Sequence, residues 1–218
     1  MDSNKKKMFF LCFFLVISHV WAEDDVFHYT LTPQTTVTFN TICENLAKNP
    51  IIKGNFVQEK HLTRFNRSLE SSGNFIIAVK QGMVWETLKP FPSTMVMGND
   101  FIMQSRPDGR KSVLSAQGNE TFTQMASVIS AVFSGQSQGL LKNFDVYFSG
   151  SVSDWTMGLL PRDSVFASFI AKIILSGDSV MRSIKLFEQS GDTTTYTLSN
   201  QSYPAGLNDD EKALFSIP

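Results

Sequence analysis

The chain reads as a mainly β protein with a few short helices: a single, strongly curved antiparallel sheet with the helices covering its concave face. Three observations predict this. Short apolar segments with strand character recur along most of the chain. The connections between them are built from turn formers and are too brief for the crossovers that parallel strands need. Only a few stretches carry apolar residues at helical spacing.

The elements follow in order. Residues 1–22, MDSNKKKMFFLCFFLVISHVWA, set Lys5, Lys6 and Lys7 before an apolar run from Met8 to Ile17, with Val20 and Ala22 at the small-residue positions of a cleavage site. This is the pattern of a secretory signal peptide cut after Ala22. Cys12 sits inside the apolar run and does not mark a lipid-attachment site. From Thr36, residues Phe39, Ile42, Cys43, Leu46 and Ala47 fall on one helical face, and Pro50 ends the run. Strand segments follow in IIKGNFVQEKHL, SSGNFIIAVK, GMVWETL, STMVM and FIMQS. Their separators are Gly82, Pro90, Pro92, Gly98-Asn99-Asp100 and Pro107-Asp108-Gly109. A second helix is predicted over about residues 120–133, with Phe122, Met125, Ala126, Ile129, Val132 and Phe133 on its apolar side. The strand pattern then returns in KNFDVYFSG, SDWTMGLLP, AKIILSG, SVMRSIKLFEQ and TTTYTLSNQ. Helical turns are predicted near 165–169 and 208–214.

Composition narrows the function. The chain has 19 basic and 20 acidic residues; taking away Lys5, Lys6, Lys7 and Asp2 leaves 16 against 19. So mild a balance argues against a nucleic-acid partner and gives no polybasic patch for an anionic membrane surface. Cys43 is the one cysteine beyond residue 22, and its neighbours make it a buried thiol rather than a disulfide partner. GQSQG, residues 135–139, matches the G-x-S-x-G elbow around Ser137, but no histidine follows His61 and helical pattern precedes it, so it reads as a flexible loop. His28 and His61 lack partners at metal-ligand spacing, and Glu23-Asp24-Asp25 and Asp209-Asp210-Glu211 read as a solvated terminus and a helix start. No metal, cofactor or catalytic residue is expected. Asn66, Asn119 and Asn200 begin N-glycosylation sequons, which matter only where that machinery exists. Seven of the nine methionines and fifteen of the nineteen phenylalanines lie beyond residue 22, with Met83, Met95, Met97 and Met103 in neighbouring strands. Methionine suits a surface that accepts varied apolar shapes, although a plain β core would use it too.

The order of motifs resembles one family. An amphipathic helix, then Gly54-Asn-Phe-Val-Gln58, Ser72-Gly-Asn-Phe75 and Val84-Trp-Glu-Thr-Leu-Lys-Pro90, is similar to the periplasmic outer-membrane lipoprotein carriers of the LolA type. SDWTMGLLP, the run from Ile173 to Asn200 and the closing AGLNDDEKALFSIP extend the resemblance over roughly residues 37–217. It implies an incomplete β-barrel, closed by helices, over residues 23–218, with an apolar interior for lipoprotein acyl chains. The implied lining is Phe75, Ile77, Val79, Met83, Trp85, Met95 and Met97. Val79 stands where family members often carry an arginine that holds the helical lid closed. The implied function is a monomeric, soluble periplasmic carrier, working between an inner-membrane lipoprotein-releasing transporter and an outer-membrane acceptor. The alternative is a periplasmic lipid-sensing module that regulates a membrane partner.

Overall fold

The computed structural model describes residues 23–115, 130–133 and 135–216. A 3-10 helix, Glu23–His28, leads into helix α1, Pro33–Ala47. The helix begins three residues before the expected Thr36, because Thr32 and Thr35 form a reciprocal capping box and Pro33 occupies the first turn, where its missing N–H is harmless.

Six strands follow: β1 Ile51–Leu62, β2 Arg67–Ala78, β3 Gly82–Lys89, β4 Ser93–Met97, β5 Phe101–Ser105 and β6 Lys111–Ser115. Residues 130–133 are helical; the rest of the predicted second helix lies outside the described residues. Helix α2, Ser137–Asn143, precedes β7 Phe144–Ser151 and β8 Asp154–Pro161. Helix α3, Ser164–Ala167, leads to β9 Ile170–Gly177, β10 Met181–Glu188 and β11 Thr193–Ser202, and helix α4, Asp209–Leu214, comes last.

Two expectations change. No element is expected over residues 111–115, yet they form β6; all five are exposed, so the strand carries no inside-outside alternation to detect. GQSQG was read as a flexible loop, whereas Ser137 opens α2. Gly135 makes the turn before it with φ +64, and a Cβ there would lie 2.7 Å from the Ala47 backbone nitrogen, so only glycine lets this segment approach the end of α1.

The eleven strands of the described residues form one sheet in the order β6-β5-β4-β3-β2-β1-β11-β10-β9-β8-β7, with every neighbouring pair antiparallel. Two meanders therefore meet at β1 and β11. Among the described residues the sheet does not close, and β6 and β7 are its end strands. Yet Phe39 and Cys43 of α1, Met83 and Met97 of the first meander and Trp155 and Ile173 of the second share one buried cluster. Strands β4 and β9 are six steps apart, about 29 Å in a flat sheet. Only strong curvature brings their side chains to one core.

The opposite face has its own cover. Val84, Val96, Phe101 and Met103 form a separate cluster with Ile76 and Phe215 packed on it. Ile51, Ala78 and Leu207 form another beside it. α4 was expected on the concave side with the other helices, but it lies on this outer face, where Lys53 Nζ donates to Glu211 Oε1. The apolar residues on both faces of β2 to β5 require this second cover. Within that region Gly73 is indispensable: a Cβ there would sit 1.8 Å from the Glu86 carbonyl oxygen, where β2 and β3 come together at a register shift.

Candidate ligand cavity

The inner face of β3 carries Met83 and Trp85, and the partner of Trp85 on β4 is Met95. The indole stacks on Phe56 of β1, with centroids 4.2 Å apart and planes at 26°, and on Phe75 of β2 at 5.7 Å and 20°. Tyr196 of β11 meets it edge-on at 5.2 Å and 88°. These contacts fix the orientation of Trp85 and leave it only partly buried.

In front of it is an apolar cavity of about 290 Å³. The first meander contributes Met83, Trp85 and Met95. The second contributes Ile170 and Ile173 of β9, Ile184 and Leu186 of β10, and Tyr196. Val132, Phe133 and Phe166 of α3 cover it. Among the described residues the lining holds no charged side chain. Its polar side-chain groups are the Trp85 indole N–H and the Tyr196 hydroxyl; the hydroxyl pKa is raised above 10.0 by burial and then by the nearby negative charge of Glu188, so it stays a neutral hydrogen-bond donor. One step further along the strands the inner face becomes polar. Lys60 Nζ donates to Glu188 Oε1 at 2.6 Å, and Thr194 Oγ1 donates to the same oxygen at 3.1 Å. The space is thus apolar along its length and polar at one end, which suits an amphiphile.

The predicted lining residues divide. Met83, Trp85 and Met95 share the cavity wall. Phe75 backs Trp85 and, with Ile77, faces a much smaller space of about 20 Å³ behind Val132 and Phe133. Met97 pairs with Met83 and is packed in the core at 5% exposure. Val79 lies one residue beyond the end of β2, is 38% exposed, and its N–H donates to the Pro50 carbonyl; it is not part of the wall. The reading missed the whole contribution of the second meander. Alternation in Ile184-Lys-Leu186 and Tyr196-Thr-Leu198 marks one face of those strands as apolar, but nothing local says that this face meets Trp85. Cys43 is buried in the main core, and that burial, with Glu44 adding, pushes its thiol pKa up to about 12, so it is inert.

A larger groove of about 400 Å³ lies on the outer face, under α4. Its floor is a ladder of side-chain amides. Asn200 donates to Asn55 at 2.9 Å, Asn55 to Asn74 at 2.7 Å, and Asn74 to the Glu86 carboxylate at 3.0 Å. Though roomier, it mixes this amide ladder and the charged Lys53, Glu86 and Glu211 with the apolar Ile76, Val84 and Leu214, in contrast to the uncharged inner cavity.

The family model described as "Outer membrane lipoprotein carrier protein LolA" matches residues 47–216. No curated protein matches the chain by sequence. Among solved structures, a LolA superfamily protein from Nitrosomonas europaea is similar with a TM-score of 0.45 and 10% identity, over 79% of this chain and 96% of that one. A chain of the Pseudomonas aeruginosa MucA/MucB complex gives a TM-score of 0.49 and 14% identity, over 85% of this chain and 61% of that one. The lipoprotein LppX of Mycobacterium tuberculosis gives 0.40 and 11%, over 81% and 100%.

Proposed function

Because the chain belongs to the family of LolA outer membrane lipoprotein carrier proteins, we propose that it is a periplasmic carrier that shields an acyl chain of a lipoprotein, or of a related acylated lipid, on its way towards the outer membrane. The observation that carries this reading is the uncharged cavity in which Met83, Trp85 and Met95 face Ile170, Ile173, Ile184 and Leu186 across the curved sheet. Residues 1–22 act as the export signal, cut after Ala22, and residues 23–218 form the carrier domain. A membrane transporter supplies the cargo and an outer-membrane acceptor takes it. No bond is made or broken.

The energetics favour partial cover. Removing a chain of about 15 carbons from water is worth roughly 12 kcal/mol at about 0.8 kcal/mol per methylene. Complete burial in a rigid wall would make release slow. A cavity at the lower edge of the usual range for ligand pockets, about 300–1,000 Å³, covers only part of such a cargo, and flexible methionines adapt to what it holds. The polar end formed by Lys60, Glu188 and Thr194 suits the head group.

Two measurements test the reading. Mass spectrometry of the protein purified from the periplasm of a producing cell should find an acylated lipid or lipopeptide. Titration with a long-chain amphiphile should change tryptophan emission saturably in the wild type and not in Trp85→Phe, which keeps the apolar wall. An equal response in both proteins would remove the cargo from this cavity.

A further inference from the structure

We infer that one end of the sheet docks on a bilayer surface carrying anionic lipids. The chain reverses at this end in the connections β1–β2, β3–β4 and β5–β6, and because all strands are antiparallel and β1 to β6 lie side by side, the three tips share one edge. Together they carry Arg64, Arg67, Lys89, Arg106, Arg110 and Lys111, all exposed, against the carboxylates of Asp108, which pairs with Arg110, and of Asp192, which the neighbouring β10–β11 turn sets against Thr63. The same tips expose aromatic rings. Phe91, between Pro90 and Pro92, is 82% exposed, and Phe65 is 68% exposed with the Arg64 guanidinium 5.9 Å from its ring centre. Cations attract an anionic lipid surface, and aromatic rings settle at the level of its head groups.

The opposite end of these strands is a built-in contrast. Its connections at residues 79–81 and 98–100 carry Lys80 and Asp100, and no aromatic residue. The acidic pair Glu59 and Glu70, which face each other across β1 and β2, stands back from the tip by three residues, about 10 Å. Nor is the tip a frayed loop. The Thr63 N–H donates to Asp192 Oδ1 at 2.9 Å and the Thr63 hydroxyl donates to the Gly191 carbonyl at 2.5 Å, which ties the Phe65 turn to the β10–β11 turn. The polar end of the cavity lies towards the same edge, since Lys60 and Glu188 are near the ends of β1 and β10. Docking there would point the cargo's head group at the membrane. The sequence shows no polybasic run because these six cations are spread over residues 64–111 in three separate hairpins; the meander gathers them.

The test is flotation with vesicles of phosphatidylcholine alone and of an equimolar mixture with phosphatidylglycerol, using protein recovered from the periplasm, wild type and variants alike. Binding to the mixed vesicles, weakened by salt, is expected for the wild type and little for phosphatidylcholine alone. Arg64→Glu with Arg67→Glu, and separately Phe65→Ser with Phe91→Ser, should each weaken it by about tenfold or more, with melting temperatures unchanged because the residues are exposed. Lys48→Glu with Lys80→Glu, at the opposite end, should leave it within about twofold. Absence of wild-type binding to mixed vesicles, tip variants that bind like the wild type, or an opposite-end variant that loses as much would each overturn the inference. The amphiphile response of Trp85 is read in the same proteins: its loss with vesicle binding intact would defeat the carrier reading and leave the docking surface standing.

Discussion

The two faces of β1 to β3 are made from alternate residues of the same strands and are held in opposite ways. Inward, Phe56, Phe75, Met83 and Trp85 meet through stacking and dispersion, which set few geometric demands, and a cavity remains beside them. Outward, Asn55, Asn74 and Glu86 stand in one row with Asn200, each amide donating to the next. A chain of directional bonds tolerates little displacement, whereas apolar contact can be exchanged for contact with a ligand. The sheet thus has a specified outer surface that holds register and an adaptable inner surface that can lend its space.

The comparison can be broken most severely from inside. Met83 is 7% exposed, so Met83→Lys must bury a charge or force the lysine to lose its proton. A stability loss of about 3 kcal/mol or more is expected, seen as a fall of roughly 6–12 °C in melting temperature, together with loss of the Trp85 amphiphile response. An unchanged melting temperature would mean that the wall is open enough for the ammonium to stay hydrated.

From outside the effect should be smaller and should not cross the sheet. Asn55→Ala removes two rungs of the ladder and strands the amide groups of Asn200 and Asn74. Since the row is only partly buried, about 1–2 kcal/mol is expected, read in denaturant unfolding, with amphiphile binding at the wild-type level. Weakened ligand binding in this variant would show that the two faces are coupled and not independent.

The smallest effect concerns the cover of the outer face. Glu211 is held below its ordinary 4.5, first by the hydrogen bond from Lys53, and also by the Asn208 backbone N–H that it caps. A depressed carboxylate pKa contributes stability that is complete above about 4.5 and is lost as pH falls through the folded value. Hydrogen-exchange protection of the α4 amides should therefore weaken as pH is lowered below 4.5. In Lys53→Met the protection should already be lower at neutral pH, by up to about 1 kcal/mol, and its pH dependence shallower. Equal protection in both proteins at neutral pH would leave the anchoring of α4 to the apolar contacts of Leu207 and Phe215.

How far the sequence could be read depended on whether a signal was local. IIKGNFVQEKHL gives β1 at its true bounds because alternation and the flanking Pro50 are properties of the segment itself. SSGNFIIAVK locates β2 but starts it late: Arg67 to Glu70 are exposed and lie in the strand only because β1 continues opposite them. Met83, Trp85 and Met95 entered the expected lining through the family resemblance, and the hairpin register of β3 with β4 sets Trp85 opposite Met95. Ile173, Leu186 and Tyr196 were not expected there, because they enter the site from the far half of the sheet.

By itself, then, the sequence determined where the chain extends, turns and coils, through residue periodicity and the backbone limits of proline and glycine, which act over a few residues. Only the tertiary structure decided which apolar face of the doubly apolar strands β2 to β5 would line the cavity and which would lie under α4. It also decided that β1 pairs with β11, so that the sheet curls until Met95 and Ile173 share one cavity, and that cations from three hairpins meet at one edge. Each of these outcomes joins residues far apart in the chain. No short segment carries their free energy, because it arises only when the whole sheet curves and both faces are covered at once.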